Sequence, residues 1–190
     1  MPRPASDPVP VALDLRPGQE VTVRTLAEIR ATLDGNGALD GLPFMPEMER
    51  YAGRRFRVFR RADRVCVEGQ RHLRRVRDTV FLEELRCDGA AHGDCNRGCL
   101  FFWKEAWLTR DERDAAPDLA TPTIIASASV AGAGPEAQVF ACQSTALARA
   151  STPLAWWDPR PYARDVATGN VPLPELLRSF RATLGVKLDA

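Results

Sequence analysis

Apolar residues recur at two different periods along the chain, and the change from one to the other divides it. Leu26, Ile29 and Leu33 fall three and four apart, which predicts a helix that Thr25 caps and that Asp34-Gly35-Asn36-Gly37 ends. A second short helix is expected within residues 43–51, closed by Gly53. Past Gly53 the period falls to two. Phe56 and Val58 alternate with Arg55 and Arg57, Val65 and Val67 flank Cys66, and Thr79-Val80-Phe81-Leu82 forms a third β-rich run. Turn signals near Ala62-Asp63 and Glu68-Gly69 separate the runs. Short strands at this spacing predict an α+β fold around a small, strongly bent antiparallel sheet with flanking helices. The β segment, at about residues 53–86, is of SH3-like or partial-barrel type. A hairpin joining the second and third runs would bring Cys66 close to Cys87, which lies just past the third.

Farther along, Leu100, Trp103 and Trp107 recur at helical spacing, as do Phe101, Lys104 and Leu108. The expectation is a helix, with a strand as the alternative, because short aromatic runs read both ways. Residues 111–121 and 126–137 read as connections around a strand at 123–125. A strand at 137–141 delivers Cys142, and Ser144 or Thr145 starts a helix through Leu147. The stretch 153–162 is rich in aromatics and prolines and is expected to fold back over the domain. An amphipathic helix follows, with Pro174 in its first turn and Leu176, Leu177, Phe180 and Leu184 on its apolar side. Residues 1–18, proline-rich and without period, read as an extended or disordered arm, and 19–190 as one metal-binding domain.

With 190 residues, 45% hydrophobic and 27% charged, the chain has the composition of an ordinary globular protein large enough to bury its own core. No apolar run reaches bilayer length and the first residues lack a secretory apolar core, so a cytoplasmic protein without a membrane partner is expected. The net charge of +1 exerts no bulk pull on nucleic acid. Locally, however, Arg54, Arg55, Arg57, Arg60, Arg61, Arg64, Arg71, Arg74, Arg75 and Arg77 face only Asp63 and Glu68. This patch supports an alternative as a polyanion-binding module, set against the commoner role of such runs as a solvated face.

The chemistry concentrates between Cys87 and Cys99, where Cys87, His92, Cys95 and Cys99 are interleaved with Gly89, Gly93 and Gly98. Glycine lets the backbone turn tightly enough for sulfurs to converge, and a cation is the usual reason to gather thiolates. In a reducing cytosol, loop cysteines are more often metal ligands than bridges, and an odd count of five cannot pair completely. The favoured ligands are Cys87, Cys95, Cys99 and Cys142, with Cys66 as an alternative or additional member. Only Cys95 and Cys99 approach the close pairing of zinc knuckles. Dispersed thiolates in a glycine-bearing loop therefore favour an iron–sulfur cluster, 4Fe–4S, over zinc, and a Cys95–Cys99 redox pair ranks third. Four bound thiolates suit an electron carrier with a redox partner protein. Three leave an iron open as a Lewis acid toward a small-molecule substrate, in a dehydratase or group-transfer enzyme. His92 is the candidate catalytic acid or base. The competing reading is a zinc-stabilised interaction module without catalysis. Asp88 and Asp94 have the commonplace role of turn residues, and Lys104 and Glu105 that of a solvated or salt-bridged face.

The segments Leu39-Asp-Gly-Leu-Pro-Phe-Met-Pro-Glu-Met48, Tyr51-Ala-Gly-Arg-Arg-Phe-Arg-Val58, Arg86-Cys-Asp-Gly89, His92-Gly-Asp-Cys95, Gly98-Cys99 and Phe102-Trp-Lys-Glu-Ala-Trp-Leu108, with Cys142-Gln143, Trp157-Asp-Pro-Arg160 and Gly169-Asn170, carry a resemblance. They resemble a largely uncharacterised family of cysteine-rich bacterial proteins of similar length, encoded among polysaccharide or natural-product biosynthetic genes. The resemblance implies a biosynthetic role without an activity to transfer. All five cysteines and His92 match its pattern, and Ala52 stands where relatives often carry cysteine.

Overall fold

The computed structural model describes residues 12–110, 142–155, 157–175, 177, 178 and 181. In chain order, β1 (Glu20–Val23) leads to α1 (Leu26–Thr32), and a small hairpin, β2 (Ala38–Leu39) with β3 (Leu42–Pro43), precedes a 3-10 helix (Pro46–Tyr51). Then come β4 (Arg55–Arg61), β5 (Arg74–Arg75), β6 (Thr79–Leu82) and β7 (Trp103–Lys104). A 3-10 turn (Glu105–Trp107), β8 (Leu108–Thr109), α2 (Gln143–Ala150), β9 (Thr152–Pro153) and α3 (Arg160–Ala167) complete the elements.

The start of α1 is decided locally. The Thr25 hydroxyl accepts from the Glu28 amide, and the Glu28 carboxylate accepts from the Thr25 amide, a reciprocal cap that satisfies two otherwise unpaired donors. Leu26 and Ile29 then face the core.

Five strands form one antiparallel sheet in the order β7–β6–β4–β1–β8, with Val21 opposite Phe56, Val58 opposite Leu82 and Val80 opposite Trp103. The sheet is open. Its edge strands β7 and β8 are two residues each and do not pair, so the expected partial barrel does not close. The core on this sheet is Leu15, Val21, Val23, Ile29, Leu42, Met48, Val58, Val80, Leu82, Trp103, Trp107 and Leu108 among others.

The second β run behaves differently from expectation. Val65 makes a single bridge to Arg74, and β6 pairs with β4, so no hairpin joins the runs around Cys66 and Cys87. The chain after Val67 turns, and β5 finds its partner in β9 instead. Val65 and Val67 still bury, in a second cluster with Ala62, Val76 and Leu147, while Cys66 between them points to solvent. The expected helix over 100–108 is also absent, replaced by β7, the 3-10 turn and β8. From Trp103 to Thr109 every residue is buried, so the run carries no period to mark its conformation.

Lys104 and Glu105 lie inside the protein rather than on a solvated face. The ammonium of Lys104 donates to Asp40 and to the Arg77 carbonyl. The Glu105 carboxylate, fully buried, accepts from Arg61 at 2.7 Å and from the backbone amides of Asp14 and Leu15 at 2.8 and 3.2 Å. Arg61 is further paired with Asp63 at 2.9 Å. This network ties residues 14 and 15, from the segment expected to be an arm, to the sheet, with Leu15 in the core. Of the stretch 153–162, Leu154 hydrogen-bonds back to Leu73 beside the β5–β9 pair. The strands expected at 123–125 and 137–141, residues 1–11 and most of the C-terminal helix lie outside the described residues. Among the described residues, no helix is long and apolar enough to cross a membrane.

Candidate metal centre

The cysteine loop is closed at its base by backbone. Arg86 bridges Leu100, and the Cys87 amide donates to the Cys99 carbonyl at 2.8 Å, which brings the two ends of the loop side by side. Inside it the chain crosses itself closely. Gly89 has φ +76, and a Cβ there would stand 2.2 Å from the Cys95 carbonyl oxygen and 2.4 Å from its amide nitrogen. Only glycine permits that crossing. Asp88 accepts from the Ala90 amide at 3.3 Å, the turn role expected of it, and also pairs with Arg50 at 2.7 Å, fastening the loop to the Pro46–Tyr51 helix.

That helix supplies Glu47, which the sequence did not mark as a ligand. Buried at 7% exposure, Glu47 places Oε1 3.0 Å from His92 Nδ1 and 3.9 Å from Cys87 Sγ, and accepts from the Ala91 amide at 3.1 Å. Cys87 Sγ lies 3.8 Å from His92 Nε2. Carboxylate, thiol and imidazole thus stand with their ligand atoms all within 4.8 Å of one another, a group fit to hold a metal ion. The second oxygen, Glu47 Oε2, is buried without a hydrogen-bond partner. No signal in the sequence points to Glu47, because it lies 40 residues from Cys87 and an acidic residue on a short helix reads as solvated.

Cys87 and His92 open onto a cavity of about 810 Å³ whose wall also holds Cys95, Cys99 and Cys142. Cys142 arrives there because Gln143 is clamped. The Gln143 amide group donates to the Pro43 and Phe102 carbonyls, and its oxygen accepts from the Phe102 amide, pinning the first turn of α2 against the aromatic run. Four of the five cysteines therefore share one cavity with His92, while Cys66 is exposed and outside it. Cys95, Cys99 and Cys142 line the cavity without joining the tight Glu47–Cys87–His92 group, which among the described residues is the candidate metal site and is not a four-cysteine one. All five cysteines are free thiols, and no bridge joins Cys95 to Cys99. In the arginine-rich segment, Arg61, Arg64 and Arg74 turn to internal partners, namely Glu105 and Asp63, Asp165, and Ser151.

Burial pushes the Cys87 thiol up to about 11. The Glu47, Asp88 and Cys99 charges add to the push, and a hydrogen bond from the Gly89 backbone opposes it. Thiol, imidazole and carboxylate stand in the order of a nucleophile, its base and an orienting acid. Burial favours the protonated thiol, so in that arrangement activation falls to His92 as the adjacent base. A bound cation reverses that shift, since a coordinated thiol gives up its proton. Comparison with protein-family models, curated proteins and solved structures found no match.

Proposed function

We propose that the protein binds an iron–sulfur cluster, of 4Fe–4S type, through Cys87, Cys95, Cys99 and Cys142. The observation that carries this reading is the convergence of four free thiols, from positions 87 to 142, on one cavity. A cluster takes each thiolate on a separate iron and so accepts sulfurs spread around a roomy void, whereas a single ion draws its ligands together. Two further features of the cavity support this reading. Coordination to iron takes the proton from the raised Cys87 thiol, and Phe81, Leu100, Phe101 and Phe102 wall the cavity with apolar surface. When bound, the cluster supplies electron transfer if all four thiolates engage it, or Lewis-acid chemistry if one iron stays open. In the second case the Glu47 carboxylate accepts from His92 Nδ1 and orients the ring, which leaves Nε2, 3.8 Å from Cys87 Sγ, as the proton-accepting atom, and the partner is a small-molecule substrate. In the first, the partner is a redox protein. The bacterial family that the sequence motifs resemble supports a biosynthetic setting, in the cytoplasm.

A second reading is favoured by the tight group itself: a single ion of zinc type on Glu47, Cys87 and His92. This is the zinc-stabilised alternative, without catalysis.

Anaerobic purification with iron, sulfide and zinc quantified per chain separates the two. The cluster reading expects iron with inorganic sulfide and visible charge-transfer absorption, lost in Cys142→Ser and kept in Cys66→Ser. The single-ion reading expects zinc, lost in Glu47→Gln and kept in Cys142→Ser. Zinc bound without iron or sulfide overturns the cluster.

A further inference from the structure

The cavity is larger and more varied than metal binding requires. Its volume of about 810 Å³ falls in the range of sites that enclose a small organic molecule, and the thiols and His92 account for only part of its wall. Much of the rest is apolar: Met45, Phe81, Leu100, Phe101 and Phe102. This wall is held firm. The Phe81 and Phe102 rings pack 4.8 Å apart, and Phe101 stands edge-on to Tyr51 and to Trp103.

The charge on the lining is of one sign. Arg86 and Arg97 are part of it, with the hydroxyls of Ser144 and Thr145, and no aspartate or glutamate is among the described lining residues. Each guanidinium is anchored by a contact that leaves donors over. Arg86 gives one N–H to the Gly98 carbonyl at 2.8 Å, and Arg97 gives two to Glu68 at 3.1 and 3.4 Å, from the five that each carries. An apolar wall with unspent guanidinium donors matches a ligand with an apolar body and an acidic head.

We propose that the cavity binds a small aryl carboxylate, its ring against the Phe81–Phe102 wall and its carboxylate on Arg86 and Arg97, which rests on reading the same cavity as the metal-bearing site. The ligand would be the substrate class of that site.

The test is calorimetry with 3-phenylpropionate and its uncharged analogue 3-phenylpropanol, on the protein as purified anaerobically and after metal removal, with metal measured on every sample. Expected is binding of the acid, with the alcohol weaker by at least about tenfold, the scale of one charge-assisted hydrogen bond. The double variant Arg86→Gln, Arg97→Gln should lose the same factor for the acid alone, with unchanged metal content. Equal affinity for acid and alcohol, wild-type affinity in the double variant, or no binding of the acid to metal-loaded protein overturns the proposal. Protein that holds no metal as purified anaerobically, yet binds the acid with this preference, refutes the metal reading and leaves the ligand assignment standing.

Discussion

Replacing Gly89 by alanine isolates the backbone crossing on which the loop depends. Two costs arise there. Holding a residue with a Cβ at φ +76 costs about 1–2 kcal/mol, the penalty of the left-handed region. The new Cβ also falls 2.2 Å from the Cys95 carbonyl oxygen, where ordinary contact begins at 3.4 Å, so the backbone carrying Cys95 must retreat by roughly 1 Å. The obstacle is main chain and cannot swing aside as a side-chain tip would. Gly98→Ala supplies the control, because Gly98 has φ +58 but open space where a Cβ would go. It carries the first cost without the second. At about 2–4 °C per kcal/mol for a chain of this size, Gly98→Ala should lower Tm by about 2–8 °C, and Gly89→Ala by distinctly more. The displacement moves a cavity-lining thiol, so Gly89→Ala should also lose bound metal while Gly98→Ala retains it. Thermal unfolding of metal-free protein and metal per chain read out the two effects. Equal losses in both variants, in Tm and in metal, would refute the crossing as the reason for glycine.

Two further outcomes follow from buried charge. Glu105→Gln should destabilise by about 3 kcal/mol, the low end for breaking a buried ion pair since Asp63 still faces Arg61, and a urea midpoint within error of wild type would contradict the network. In metal-free protein the Cys87 thiol, raised to about 11 from its ordinary 9.0, keeps its proton when folded and releases it more readily when unfolded. Its contribution to stability is therefore complete below about pH 9 and is lost as pH rises through about 11. Urea midpoints across that window should fall more steeply for wild type than for Cys87→Ser, and parallel slopes would exclude the shift.

What could be read along the chain were the features that neighbours within four residues decide. Thr25 and Glu28 cap α1 with groups three positions apart, and the alternation of Val65, Cys66 and Val67 correctly turns the two valines inward and the thiol outward. The soft ligands crowded among glycines marked the loop, and Cys142 lines the same cavity. Pairing and burial were another matter. Whether the third β run joined the second or β4 depended on a choice among distant partners of similar apolar content, and the bulge between Val58 and Arg60 left no local trace. The run from Trp103 to Thr109 hid its strands because burial on all sides erases periodicity. Glu47, Lys104 and Glu105 carry charges that local sequence assigns to water. Only when remote segments close over them do they become, respectively, a partner for Cys87 and His92, a bolt to Asp40 and the anchor of Leu15. Side-chain identity thus sets which chemistry is on hand, but desolvation by residues far along the chain decides which charged groups must find partners, and that is a property of the folded whole.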